Sequence, residues 1–395
     1  MTRPRITDAQ RRTRLGRRHA IAPQHRVADP VAAARAVVAL HATEARSVHL
    51  AVAARVDGAT VADVDRALYE ERSLVKQLAM RRTLFAFPRD LVPAALGSSS
   101  DRVAAALSSR ISRTIAENGL ASDGDAWLDE ACRAVEDVVS DAGALSNAEI
   151  RSKVPMVRGQ VNVGTGKWGQ AVQVSPWVCG LLGLRGRLTR GVPVGDWTNP
   201  RPRWHPMDDW LGAPAEPVKP RQGYAQLVER WLDRFGPGTV DDIVWWLGAT
   251  KGIVRTALVD VAAVEVDLDD GQVGYVLPYD LDDEPAVGPW AALLPVLDAT
   301  TMGWKSRGFY LDPDDVAYLF DTNGNAGTTA WWNGRVVGCW VQRPSGEVRI
   351  VARRRLAKEA AHALDAEAER LSAWLDGTVV TSVYSSRQMK GEVLP

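Results

Sequence analysis

The sequence predicts an α+β fold, mainly α: three tandem winged helix-turn-helix units closed by a β-rich C-terminal cap. The first sign is the order of parts over residues 1–90. A basic helix, a second helix, a corner at His41-Ala-Thr43, a third helix and two strands joined at Arg81-Arg82 follow one another. A winged helix assembles its parts in that order. The second sign is a recurring phrase: Gly143-Ala-Leu-Ser-Asn-Ala-Glu-Ile150 and Gly236-Pro-Gly-Thr-Val-Asp-Asp-Ile243 each place a capping box between a long amphipathic helix and strand-like segments. The third is a change to β texture from Trp290 onward. With 395 residues, 46% hydrophobic and 24% charged, the chain is long enough for several cores, and the expected units are 1–90, 91–215, 216–288 and 289–395.

Taken in order, Thr7-Asp-Ala-Gln10 is a capping box that starts a helix running to about Ala20. The formal net charge is zero, yet residues 1–26 hold eight arginines against one acid, Asp8. Affinity for a polyanion must therefore come from uneven distribution, and Arg11, Arg14, Arg17 and Arg18 are the candidates on this helix. Pro30 opens the next helix at its first turn, with Val37, Val38 and Leu40 as its apolar side. At the corner that follows, the backbone is free of helical spacing, so the i, i+2 pair His41 and Thr43 is expected to face one cleft. Val48 and Val52 turn the next helix to the core, Asp57-Gly58 ends it, and Thr60-x-x-Asp63 starts another. Leu74–Phe87 supplies the strands, with Arg81 and Arg82 as phosphate candidates at the wing.

Residues 90–140 read as helical, and Pro200–Pro220, with six prolines, reads as an extended connector. A hairpin follows: Val264, Val266 and Leu268 alternate, Asp270-Gly271 turns, and Val273–Leu277 returns. In the cap, strands flank the turn Pro344-Ser-Gly346, and a helix over Leu356–Leu375 and a last strand over Thr378–Tyr384 close the chain. Trp331-Trp332 reads as core, with base stacking as the alternative.

Other chemistries lack support. Gly164-Thr-Gly-Lys-Trp-Gly169 fits GxGxxG, but no βαβ frame surrounds it; a hairpin or wing tip with Lys167 near phosphate is expected instead of a nucleotide site. The six histidines have no metal-ligand spacing, and Cys132, Cys179 and Cys339 form no CxxC pair. No apolar core follows the first arginines and no run is long enough to cross a bilayer, so a cytoplasmic protein is expected; a monomer without cofactor or metal is expected as well.

At His41–Arg55, Ala79-Met-Arg-Arg-Thr83, Phe235-Gly-Pro-Gly-Thr239, Leu293-Leu-Pro-Val-Leu-Asp298, Met302-Gly-Trp-Lys-Ser-Arg307 and Asn323-Gly-Asn-Ala-Gly-Thr328, the chain resembles the AlkZ/YcaQ-like winged-helix DNA glycosylases. The resemblance runs from Ile6 to about Val383. It implies a C-shaped set of winged helices around a DNA duplex. It also implies excision of N-alkylated purines, including bulky genotoxin adducts against which several members protect their producer. The family's catalytic pattern, Gln-apolar-Gln/Asp, falls on His41-Ala42-Thr43: the position and the apolar middle match, and both polar residues differ. By this resemblance His41 and Thr43 carry catalysis, while Lys305 and Arg307 match the family's Lys-x-Arg and join the DNA contacts. The partner is then double-stranded DNA carrying an alkylated purine. The departure at both polar positions keeps a second reading open, a non-catalytic DNA-binding regulator or adduct sensor.

Overall fold

The computed structural model describes residues 3–164 and 169–392, so most of the Gly164–Gly169 motif, Lys167 included, lies outside the described residues. In the first unit, the Asp29 carboxylate accepts from Ala32 N at 2.8 Å and caps the helix Pro30–Ala36. The two-residue strand Leu40–His41, the helix Ala45–Arg55 and the helix Val61–Asp65 follow. Antiparallel strands Leu74–Leu78 and Leu84–Pro88 complete it. Leu40 pairs with Ala86 and His41 with Phe85, so the corner read as a helix end is the edge strand of a three-stranded sheet.

The same order recurs twice. In the second unit, helix Gly124–Ala142 leads to Leu145, which bridges to Trp204; helices Asn147–Lys153 and Ser175–Leu184 and strands Leu188–Arg190 and Trp204–Pro206 follow. A hairpin, Gln160–Val163 with Gln170–Gln173, is inserted between its two shorter helices. In the third, helix Pro220–Phe235 leads to Gly238, which bridges to Tyr275; helices Val240–Leu247 and Lys251–Asp260 and the hairpin Val264–Leu268 with Val273–Val276 follow. The Ser146/Glu149 and Thr239/Asp242 capping boxes are both formed.

Two expectations are corrected. The proline-rich span 200–220 is not one extended connector, because Trp204–Pro206 pairs with Leu188–Arg190 and Met207–Leu211 is helical; Trp204 and Trp210 bury themselves there. Thr378–Tyr384 is extended but forms no strand, because side chains satisfy its backbone: Val380 N donates to Gln342 Oε1 at 2.9 Å and Val383 N to Glu44 Oε1 at 3.0 Å. The cap is otherwise a four-stranded antiparallel sheet, Ala291–Leu294, Thr329–Trp332, Arg335–Gln342 and Val348–Ala352, covered by helix Lys358–Leu375. Trp331 is fully buried and stacked on Tyr310, which is the core reading of that tryptophan.

The cores cut across sequence order. One apolar core joins the first unit, the third unit and part of the cap, from Leu15 and Phe87 to Trp231 and Trp331. The second unit has its own, around Ile111, Val135 and Val178. Within the shared core, Arg55 and Asp298 are both fully buried and pair at 2.7 Å. Thr300 Oγ1 accepts from Arg55 and lies 2.9 Å from Nδ1 of His19, whose Nε2 lies 3.1 Å from the Arg234 carbonyl. These bonds tie the first unit to the Asp298–Thr300 segment of the cap and, through His19, to the third unit.

Candidate nucleic-acid interface and the His41–Thr43 corner

The arginines of the first helix, Asp8–Arg18, divide by what they meet. Arg14 is buried and bonds Asp280 Oδ2 at 3.0 Å, and Arg18 bonds both Asp280 and Glu284. Arg11 is buried with its guanidinium 3.6 Å from the centre of the Phe309 ring. The expectation of a phosphate-facing row is thus corrected for Arg11, Arg14 and Arg18. The acidic run Asp280–Glu284 neutralises Arg14 and Arg18, because an arginine buried between units costs less paired than alone. Arg17 stays more open, with its Nε 3.9 Å from Glu284.

The wing behaves differently. Met80–Arg82 forms a tight turn in which Arg81 and Arg82 both take positive φ, 54° and 61°. Arg81 lies over Trp245 at 4.0 Å, and Arg307 lies over the same ring at 5.2 Å and over Phe320 at 4.4 Å. Asp242 fixes the loop that carries Lys305 and Arg307. Beyond capping its own helix, it accepts from Lys305 N at 2.9 Å and Ser306 N at 2.8 Å. Among the described residues, Arg81, Arg82, Lys305 and Arg307 have no carboxylate within ion-pair distance. Burial and the neighbouring Arg307 pull the Arg81 pKa down to about 10. Sequence reasoning named all four as candidates for DNA contact; it did not single out Trp245, the surface on which two of them rest.

At the corner, His41 and Thr43 part company. His41 is 7% exposed, sits edge-on to Phe85 at 5.4 Å between ring centres, and its Nδ1 is buried without a partner among the described residues. Burial first, then the positive charge of Arg81, lowers its pKa to about 3. Thr43 is exposed and lines a cleft of 330 Å³ together with Glu44, Arg46, Lys76 and Arg190. His41 is not on the cleft wall, so the two side chains do not share it as expected; the pleat of the short strand turns the histidine inward. Across the Glu44–Arg46 segment lies a second cavity of 360 Å³, walled by Leu50, Val296, Trp340, Val341 and Met389. The strap 378–384 closes over this segment: Glu44 Oε1 accepts from Ser382 Oγ at 2.9 Å, and the Arg46 guanidinium donates to the carbonyls of Thr198 and Thr381. Lys76, Arg190 and the strap left no local signal in the sequence, since strands distant in the chain bring them here.

No described helix is long and apolar enough to cross a membrane. No curated protein matches the sequence. Among solved structures, the Streptomyces sahachiroi DNA glycosylase AlkZ is similar, with a TM-score of 0.70, 19% identity, and coverage of 93% of this chain and 97% of that one. At that identity the likeness speaks to fold. The model of a family described as DNA glycosylase AlkZ-like matches residues 34–374. Matched over most of its length, the chain belongs to the AlkZ-like DNA glycosylase family.

Proposed function

We propose that this protein is a monofunctional DNA glycosylase that hydrolyses the N-glycosidic bond of alkylated purines in duplex DNA. Its three helix–bridge–helix–helix–hairpin repeats act as winged helices on the duplex. An alkyl group on N7 makes the purine cationic, so the leaving group is already activated. The enzyme then has to hold a water at C1′ and stabilise oxocarbenium character, without a strong nucleophile. Thr43, at the cleft wall, orients that water. His41 lies behind the cleft wall, so its buried Nδ1 meets that water or the sugar once the bound nucleotide reaches inward past Thr43, as a hydrogen-bond acceptor more than as a base, because a pKa of about 3 leaves the ring neutral and weakly basic.

The observation that carries this reading is the unpartnered Nδ1 of His41 beside Arg81. A buried imidazole nitrogen without a partner is costly unless water or a substrate atom meets it. The carboxylate-free set Arg81, Arg82, Lys305 and Arg307 supports phosphate contact, and Arg17, more open than its neighbours on the first helix, is a further candidate. The apolar cavity beside Glu44 supports adducts larger than methyl, the class against which a self-resistance enzyme would act. One feature favours the second reading, DNA binding without cleavage: His41 is only 7% exposed.

The test is release of free base from duplex DNA carrying one N7-methylguanine or one bulky N7 adduct, with abasic sites scored by alkaline cleavage. Release of either above the spontaneous rate is expected. Tight binding of both duplexes with no excess release would favour the second reading.

A further inference from the structure

The cleft beside Thr43 contains two cations that make no ion pair among the described residues. Strand Leu74–Leu78 abuts strand Leu188–Arg190, with Thr189 Oγ1 donating to the Lys76 carbonyl at 3.2 Å, and this brings Lys76 and Arg190 to the same wall. The Lys76 ammonium donates only to a neutral group, Tyr69 Oη, at 2.6 Å. The Arg190 guanidinium lies 5.2 Å from the Trp204 ring, and its Nε is buried with no partner among the described residues. Neither makes an ion pair among the described residues, and neither does the neighbouring Arg46. The one carboxylate on the wall, Glu44, is occupied by Ser382 and Val383 of the strap. Two largely buried like charges facing one cleft without a counter-ion are unfavourable, and an entering anion relieves both.

We propose that the Lys76–Arg190 cleft binds one backbone phosphodiester of the DNA strand next to the lesion, seating the nucleotide so that its C1′ meets Thr43. This rests on the glycosylase reading. A cleft of 330 Å³ is too small for a duplex and large enough for a sugar–phosphate unit, so the phosphate reaches it only when the strand is drawn in at the lesion. The site also couples to protons. Burial and Arg190 hold the Lys76 pKa down at about 8, opposed by Asp65, with Arg46, Glu44 and Tyr69 the other titratable groups facing it. A bound phosphate favours the ammonium, so affinity declines as pH rises through 8.

The experiment uses the full chain and duplexes with a tetrahydrofuran abasic-site analogue, carrying a neutral methylphosphonate at each of the four nearest linkages in turn. Wild type should lose about tenfold in affinity at one linkage. In Lys76→Met, which keeps the stem, and in Arg190→Gln, the same methylphosphonate should change affinity less than twofold; thermal melts check folding of both. A uniform response to all four linkages, or an undiminished loss at the sensitive linkage in folded Lys76→Met, overturns the proposal. Base release from N7-methylguanine duplex by the same proteins separates the two layers. Release without linkage specificity sinks the phosphate site alone, whereas neither release nor abasic-site binding sinks the reading beneath it.

Discussion

His41 shows how far a single residue's setting decides its chemistry. An exposed histidine with an ordinary pKa would be half-protonated near pH 6.5 and a competent base at neutrality. Here burial and Arg81 bring the pKa to about 3, so the ring is neutral throughout the working range. Loss of its acceptor nitrogen comes only as pH falls toward 3. Single-turnover base release at saturating enzyme should therefore be flat from pH 7 to 5; a fall centred near 6.5 would mean that an ordinary histidine titrates in the step. For the same reason His41→Gln should keep base release within about tenfold, since an amide orients water as well. Loss of a general base costs more, about 10²–10⁴. The sequence pointed to this histidine by its place in the chain. Its burial was illegible, because the strand that turns it inward is two residues long and its partner, Phe85, lies on a strand formed much later.

At the scale of elements, the basic first helix is the instructive case. Its composition suggested a surface for phosphate, yet Arg14 and Arg18 reach into the acidic segment Asp280–Glu284 at the end of the third unit. Both halves of that contact were visible as opposite charge runs; their pairing was not, because more than 260 positions separate Arg14 from Asp280 and no periodicity reports so distant a contact. Asp280→Asn removes the carboxylate that both guanidiniums share and should destabilise the fold by about 3 kcal/mol, read by urea denaturation. A change below about 0.5 kcal/mol would place those arginines in solvent. The strap 378–384 teaches the converse. Its alternating Val379 and Val383 look like a strand, but both side chains are exposed, and Glu44 and Gln342 satisfy the backbone instead of a ladder.

For the molecule as a whole, the repeat of helix, bridge, helix, helix and hairpin was legible from capping boxes and turn residues, which are local signals. The sharing of one core by the first and third units was not, because apolar periodicity shows which face is buried and not what covers it. That shared core sets the wing turn Met80–Arg82 beside the loop carrying Lys305 and Arg307, and so makes one cationic surface from two distant segments. Counter-ion release gives it a measurable consequence. Arg82→Gln and Lys305→Gln, both exposed, should each reduce the slope of log affinity for duplex DNA against log salt by about 1, while Arg5→Gln, exposed and paired with Asp269, leaves it unchanged. Equal slopes in all three variants would move the duplex to another face.

The most direct test of the central claim compares wild type, His41→Ala and Thr43→Ala in single-turnover base release from duplex DNA carrying one N7-alkylguanine. Prompt release by wild type is expected, falling at least a hundredfold in His41→Ala and at least tenfold in Thr43→Ala, with affinity for the duplex nearly unchanged. Release at the wild-type rate in both variants would contradict the account and put the chemistry away from this corner.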